Sequence, residues 1–221
     1  TLVPNAGAGY LLVDAGANHD CRPEMLLQFA LMGSAYMEKV QGIPKPRVGL
    51  VNIGTEENKG TQLQLDVLPL LKEAPIHFTG NVEARGLPLG EVDVAVTDGF
   101  TGNIILKTTE GMGKFFSNEL KSMVKSFPGV LGGLLLAGKF KALKKKSDSN
   151  EAGGAPLLGL RKPVIKAHGS SNAKAFKNAI RQAMTCHQNN MVGLIEEYME
   201  SYRAAEAAAK AEAAAGEEEA Q

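Results

Sequence analysis

Five short apolar runs along the chain each end in glycines and polar side chains. The runs cover 11–14, 48–53, 76–79, 92–97 and 164–167, and segments with helical apolar spacing separate most of them. Alternating strands and helices predict an α/β fold with a mainly parallel sheet and flanking helices. Because parallel strands end along one edge of a sheet, we expect the polar residues that follow the runs to form a single crevice.

The segments between the runs carry apolar residues three and four positions apart, as in helices. A first helix is predicted over 23–42, with Pro23 at a position where a helix can begin. Further helices are predicted over 60–74 and over 101–127, the latter with Thr101 as a possible cap. The last helical pattern starts near 171, and its apolar stripe fades after 202.

These elements divide the chain into four predicted parts. An α/β core spans 1–114, and a protruding helical tip spans 115–150. Residues 151–203 complete the core and add a long helix. Residues 204–221 are rich in alanine and glutamate and have no large apolar stripe, so we expect a solvated tail.

Composition limits the kind of protein that this chain can be. A length of 221 residues with 44% hydrophobic content suits one large α/β domain or two small ones. The 24 basic and 24 acidic residues balance, which indicates no bias towards nucleic acid. Cys21 and Cys186 lack metal or redox spacing and suit a reducing compartment. No secretory signal opens the sequence, and no apolar run reaches the length of a membrane span.

Residues 98–103, Asp-Gly-Phe-Thr-Gly-Asn, form the most informative local motif. Its glycines permit close backbone approach, and the helix N-terminus that follows favours an anion. Asp98, Thr101 and Asn103 are therefore candidate substrate-binding residues. Lys107, one helical turn after Asn103, is a candidate catalytic cation. The alternative is a tight turn with Asp98 and Thr101 as helix caps, and Lys107 as an ordinary surface lysine.

Residues 168–172, His-Gly-Ser-Ser-Asn, repeat this design after the fifth run. Ser170 or Ser171 can cap the next helix or hold a phosphate oxygen. His168 is a candidate catalytic proton donor near neutral pH, and the alternative is a histidine that only packs. Ser170 is not expected to be a covalent nucleophile, because the Gly-x-Ser-x-Gly pattern is missing.

The other strand ends supply further candidates for binding substrate. They are Asp14, Asn18, Glu56, Asn81, Asn172 and Lys174. The charged residues among them can equally form surface ion pairs. No cofactor and no metal are expected, because neither the Gly-x-Gly-x-x-Gly fingerprint nor a metal-ligand spacing is present.

The segment 115–146 is apolar and rich in glycine, and its second half is basic. Its candidate contact residues are Leu134, Leu135, Leu136, Lys139, Lys141, Lys144, Lys145 and Lys146. Such a segment can lie on a membrane surface with its lysines on anionic head groups. It can also dock an acidic protein, or form a helical hairpin buried in a dimer.

In these motifs the chain closely resembles the PlsX family, the phosphate acyltransferases of bacterial phospholipid synthesis. The matching stretches are 14–18, 28–33, 52–60, 80–85, 98–103, 153–159 and 165–174. The fold of this family is similar to that of the isocitrate dehydrogenase and phosphotransacetylase group. The resemblance implies transfer of a fatty acyl group from acyl carrier protein to inorganic phosphate, which yields acyl phosphate.

The resemblance also implies partners and a location. Family members look like homodimers at the inner face of the membrane, where a downstream glycerol-3-phosphate acyltransferase uses their product. They normally have further glycine-rich loops before the first strand seen here. Since residue 1 is threonine and those loops are missing, this chain can be part of a longer polypeptide and inactive alone.

The residues suit direct attack of a phosphate oxygen on the thioester carbonyl, with helix N-termini and lysines stabilising the negative charge. In this scheme His168 stabilises the oxyanion or protonates the departing thiolate. Two other interpretations stay open. One is a phosphate acetyl- or butyryltransferase that uses coenzyme A thioesters. The other is a non-catalytic module that binds a membrane or a protein.

Overall fold

A five-stranded sheet lies at the centre of the computed structural model, which describes residues 1–125, 127–146, 153–169 and 171–219. The strands are β1 Leu2–Val3, β2 Tyr10–Val13, β3 Val48–Asn52, β4 Phe78–Glu83 and β5 Val94–Val96. Their order is β1-β2-β5-β3-β4. The short edge strand β1 is antiparallel to β2, and the other neighbouring strands are parallel. The predicted fold class, a mainly parallel sheet with flanking helices, is confirmed.

Helices cover both faces of this sheet. They are α1 Pro23–Lys39, α2 Gln62–Glu73, α3 Gly99–Met123, α4 Phe127–Lys146, α5 Ala173–Gln188 and α6 Met191–Glu219. The first helix begins at Pro23, as the sequence predicts, because the fixed φ of proline suits the first helical position. The third begins at Gly99 and ends at Met123, a few residues before the predicted end.

The core consists of two apolar layers, one on each face of the sheet. Leu11, Leu50 and Val94 pack with α1 on one face. Leu12 and Ala95, the next residues along β2 and β5, belong to the layer on the other face, against which the first turns of α3 pack. This alternation follows from the two-residue period of a strand. Burial of each large aliphatic side chain contributes about 1.5–3 kcal/mol to stability.

Two of the five predicted strands lie elsewhere than expected. The run at 164–167 forms β7 Ile165–Lys166, which pairs antiparallel with β6 Ala155–Pro156 and stays outside the main sheet. A nearby partner in the chain closes this hairpin at low entropic cost. The strand predicted at 76–79 begins at Phe78 and extends to Glu83. Asn81 therefore lies within β4, opposite Leu50 of β3. The prediction that five strand ends share one edge is therefore wrong for the run at 164–167, whereas β4 is parallel to β3 and ends at the shared edge.

The single long helix predicted from 171 is two helices. The chain turns at Asn189 and Asn190, and Asn190 has a φ of 50°, a left-handed conformation that asparagine tolerates. The second helix, α6, packs on α1, where Tyr198 Oη donates to Glu38 Oε2 at 3.0 Å. Residues 203–208 of α6 are exposed, and the side chains after 208 lie outside the description.

The segment predicted as a protruding tip contains the end of α3 and all of α4. Every residue from 110 to 123 is exposed, and Leu134, Leu135 and Leu136 of α4 are exposed as well. Lys139 and Lys141 lie on the same exposed helix, whereas the side chains of Lys144, Lys145 and Lys146 are outside the described part. Within the described residues, no helix is long and apolar enough to cross a membrane.

Candidate functional site at the carboxyl edge of the sheet

The chain turns sharply after β2 around the carboxylate of Asp14. Its Oδ1 accepts hydrogen bonds from the backbone N–H groups of Gly16 and Ala17 at 2.9 and 3.0 Å. Its Oδ2 accepts from the backbone and the side-chain nitrogen of Asn18 at 2.7 and 2.8 Å. Both oxygens of this predicted substrate-binding residue are thus occupied by its own loop, which makes Asp14 a residue that positions Asn18.

The environment of Asp14 keeps its carboxylate ionised. The side chain is only 8% exposed, and burial alone would raise its pKa. The hydrogen bonds from Ala17, Gly16 and Asn18 outweigh burial and hold the pKa of the carboxyl below its usual value. The negative charge is therefore a fixed part of this loop at neutral pH.

The loop after β2 lies directly against the start of α3. Asn18 O accepts a hydrogen bond from Gly99 N at 2.7 Å. A Cβ added to Gly99 would lie 2.6 Å from Asn18 O, and one added to Gly102 would lie 1.8 Å from Asp14 O. These glycines are thus what allows the two backbones to touch. The contact brings two of the predicted motifs, 14–18 and 98–103, into one site.

Asp98 caps α3. Its Oδ1 accepts a hydrogen bond from Thr101 N at 2.8 Å. Gly99 N donates to Asn18 O, so two of the first three backbone N–H groups of the helix have acceptors within the protein. The cap is thus Asp98 and not Thr101. Thr101 is half-buried and Asn103 is exposed at this helix start, and Asn103 also lies beside Gly16.

Asn52, the last residue of β3, and Asn81, within β4, hold the loop at 53–60. Asn81 Nδ2 donates to Glu56 O at 2.8 Å, and Asn52 Nδ2 donates to Lys59 O at 3.0 Å. Asn81 Oδ1 is buried and accepts no hydrogen bond from any described residue. Asn81 therefore keeps an open acceptor at the predicted site. Asn52 was missed as a site residue, although its place at the end of an apolar run is the same signal.

The fifth predicted segment follows β7. Asn172 Oδ1 accepts from Ala175 N at 3.0 Å, so Asn172 caps α5 instead of either serine. The backbone turns at this point, with Ser171 N donating to His168 O at 2.9 Å. His168, Asn172 and Lys174 are exposed, and Ser171 is half-buried. Ser170 lies outside the described residues.

Helix α5 packs beside the end of α1. Gln182 Nε2 donates to Tyr36 Oη. After the end of α5, Asn189 Nδ2 donates to Lys39 O at 2.6 Å. The second half of α5 is therefore fixed to the last turns of α1.

Lys107 lies on the surface of α3. Its Nζ is 2.9 Å from Glu110 Oε2, and both side chains are exposed. An exposed pair of this kind is worth about 0.2–1 kcal/mol and opens easily. The structure therefore places Lys107 two turns after Gly99 but pairs it with a neighbour on its own helix.

Replacing Asp14 with asparagine is expected to lower the free energy of unfolding by about 2 kcal/mol at pH 7, because one acceptor of buried N–H groups becomes a donor. The lowered pKa means that the carboxylate stabilises the fold above about pH 4 and that this contribution disappears as the pH falls through its native pKa. Urea unfolding at pH 7 and pH 3 measures both effects.

Asp20→Asn is the control for Asp14, because Asp20 is an exposed acid on the same segment. It should change stability by less than about 0.5 kcal/mol at either pH. Equal losses in the two variants would show that the hydrogen bonds to Asp14 do not hold the loop.

The fold and the site define an α/β protein whose polar loops after β2, β3 and β5 lie where parallel strands end, with the capped start of α3 against the loop after β2. Residues 1–193 match the family model described as "Fatty acid synthesis protein". The chain belongs to this family, and its resemblance to the PlsX family is confirmed.

Individual relatives carry a more specific name. The chain is 52% identical over 196 residues to a phosphate acyltransferase of Clostridium botulinum (strain Loch Maree / Type A3), a match that covers 88% of this chain and 58% of that protein. It is 50% identical over 201 residues to a phosphate acyltransferase of Geobacillus sp. (strain WCH70), covering 90% and 61%. The chain thus spans about three fifths of the length of these curated relatives.

A solved structure is more distantly similar. The EutD phosphotransacetylase from Staphylococcus aureus matches 83% of this chain and 52% of that protein, with 16% identity and a TM-score of 0.49.

Proposed function

We propose that the protein containing this chain is a phosphate acyltransferase that moves a fatty acyl group from acyl carrier protein to inorganic phosphate. The observation that carries the proposal is the 52% and 50% identity to proteins named phosphate acyltransferase, across the segments that form the site. The carboxyl edge of the sheet supports it, because amide side chains and helix starts there suit a phosphate.

In the proposed reaction a phosphate oxygen attacks the carbonyl carbon of the acyl thioester. The new C–O bond forms, the C–S bond breaks, and the thiolate leaves with a proton that His168 supplies. Asn81, Asn103 and Asn172 orient the phosphate, with help from Asn18, Thr101, Ser170 and Ser171. Lys107 and Lys174 balance the negative charge that develops.

Three predicted site residues take indirect roles in this proposal. Asp14 and Asp98 are both acceptors for backbone N–H groups, so they shape the loops that face the phosphate. Glu56 contributes through its backbone oxygen, which binds Asn81. Carboxylates that are already paired with protein N–H groups repel a phosphate dianion less than free ones would.

The tip at 115–150 is proposed to hold the enzyme at the membrane where its product is used by a glycerol-3-phosphate acyltransferase. Its exposed leucines can enter the interfacial region, and its lysines can contact anionic head groups. We further propose a cytoplasmic, peripherally membrane-associated homodimer. The exposed apolar residues of α3 and α4 support contacts with a lipid surface or a second subunit.

The direct test is an assay of the full polypeptide with acyl carrier protein thioesters and inorganic phosphate. Acyl phosphate should form only when phosphate is present, and a panel of donors should show preference for long-chain carrier thioesters. Equal or faster turnover of acetyl- or butyryl-coenzyme A would favour the short-chain transferase. Absence of phosphate binding in the full polypeptide would instead favour the non-catalytic module.

A further inference from the structure

Two adjacent glycines, Gly153 and Gly154, bring three segments of the chain into close contact. Gly153 lies against the middle of α5, where an added Cβ would be 2.3 Å from Ala179 N and 2.5 Å from Asn178 C. These are backbone atoms of a helix, so they cannot swing aside as the end of a side chain can. The φ of Gly153 is 85°, a left-handed conformation that favours glycine. This position therefore has no room for a side chain.

Gly154 makes the corresponding contact with β7. An added Cβ there would lie 2.6 Å from Lys166 O and 2.9 Å from Ile165 Cγ2. The next residue, Ala155, begins β6 and pairs with Lys166 in the antiparallel hairpin. One glycine thus touches the helix and its neighbour touches the strand. Together they fix β7 at a set distance from α5.

The hairpin of β6 and β7 is also held from the side of α1. Leu158 and Ile165 pack against the apolar layer to which α1 contributes. A Cβ added to Gly159 would lie 3.2 Å from Met32 Sδ of α1. The hairpin therefore occupies a place that two helices define. All of these contacts are made between residues of this chain, so they require no partner.

His168 lies between the two elements that the glycines join. Six residues, 167–172, connect β7 to α5. Within them, His168 O accepts a hydrogen bond from Ser171 N at 2.9 Å, and Asn172 caps the helix through Ala175 N. Because both ends of this short connection are anchored, a shift of β7 relative to α5 must move His168.

We propose that Gly153 and Gly154 are positioning residues of the acyl transfer, which place the proton donor His168 through the contact between β7 and α5. A proton donor must lie within hydrogen-bond reach of the atom that it protonates. A displacement of about 1 Å can therefore lower a rate by about 100-fold. This inference rests on the proposed function, which supplies the reaction that His168 serves.

The experiment is a double-mutant cycle in the full polypeptide, with Gly154→Ala and His168→Ala made singly and together. Gly154 is the better position to alter, because its φ is not left-handed. With His168 present, Gly154→Ala is expected to lower kcat by about tenfold or more, with the KM for phosphate nearly unchanged. In the His168→Ala background the same change should lower kcat by less than about twofold, because the displaced group is already absent.

Gly49→Ala is the matched control for a loss of packing alone. A Cβ added to Gly49 in β3 would lie 2.7 Å from Val92 Cγ1, which belongs to the apolar layer on the other face of the sheet from α1. This variant should be less stable, as overpacking predicts, but any loss of kcat should be the same with and without His168. Gly153→Ala separates the hairpin from α5 and should show the same coupling to His168 as Gly154→Ala.

A spectroscopic measurement separates this inference from the proposed function. In protein with histidine labelled by ¹³C at Cε1, the ring signal of His168 is the one that His168→Ala removes. It should move in Gly154→Ala and keep its position in Gly49→Ala. If the unaltered polypeptide forms no acyl phosphate, the proposed function is wrong, and this signal decides whether the glycines place the histidine.

Two results would overturn the inference. One is an unmoved His168 signal in folded Gly154→Ala, or in Gly153→Ala where the first variant does not fold. The other is an equal loss of kcat in the two backgrounds of the cycle, which would give the glycines a purely structural role.

Discussion

Gly102→Ala is expected to destabilise the protein by about 3 kcal/mol and to abolish the site. Gly102 is buried in the first turn of α3, and a Cβ there would lie 1.8 Å from Asp14 O, a backbone atom that cannot swing aside. The loop at 14–18 must separate from α3 to make room, and such overpacking costs about 1–3 kcal/mol or more. Urea denaturation measures the loss, and phosphate binding by the full polypeptide reports the site.

A second glycine of the same helix provides the control. Gly111 is exposed, and a Cβ there would meet no atom within 4 Å. Because alanine favours a helix over glycine by about 1 kcal/mol, Gly111→Ala should stabilise the protein slightly. The same propensity gain applies at Gly102, so a net loss there reports the clash alone. Similar stabilities for the two variants would mean that the backbones of α3 and the 14–18 loop do not touch.

His168→Ala is expected to lower kcat of the full polypeptide by about 100-fold or more, because a positioned proton donor contributes roughly 10²–10⁴ to a rate. His168 is exposed just after β7, so its loss should leave the free energy of unfolding nearly unchanged.

Lys107→Ala is expected to lower kcat to a similar extent, if the ammonium leaves Glu110 to meet the phosphate. Steady-state kinetics with acyl carrier protein measures the effect of both substitutions.

His77→Ala serves as the control for His168. His77 is exposed, lies just before β4 at the opposite end of the sheet, and contacts Lys45 O through its ring. Its removal should change kcat by less than about twofold, as expected for a surface substitution away from the site. Turnover of His168→Ala at the rate of the unaltered protein would remove this histidine from the mechanism and leave the helix starts as the source of catalysis.

The sequence predicted the strands through their local pattern. Apolar runs of strand length and helical spacing between them depend only on neighbouring residues, so β2, β3, β5 and the start of α1 at Pro23 were predicted close to where they lie. The fifth strand was placed wrongly because a pattern does not reveal a strand's partner. For β7 that partner is the nearby β6 and not the sheet.

The roles of the candidate residues were harder to predict than their positions. The sequence marked Asp14 and Asp98 as residues at strand ends, yet both carboxylates accept from backbone N–H groups. A polar side chain after a strand can face a ligand or its own loop, and the choice depends on where the free N–H groups point. The sequence made Ser170 and Ser171 candidates to cap α5 or to hold a phosphate oxygen, whereas the cap is Asn172, one residue nearer to the helix than Ser171.

The sequence by itself determined the class of fold, the family, and the motifs that end the strands, because each depends on residues close together in the chain. The tertiary structure alone decided that 14–18 and 98–103 touch through Gly99 and Gly102, and that α5 turns its apolar side chains outwards. These features depend on how distant segments approach one another, and no local period of hydrophobic residues encodes that approach.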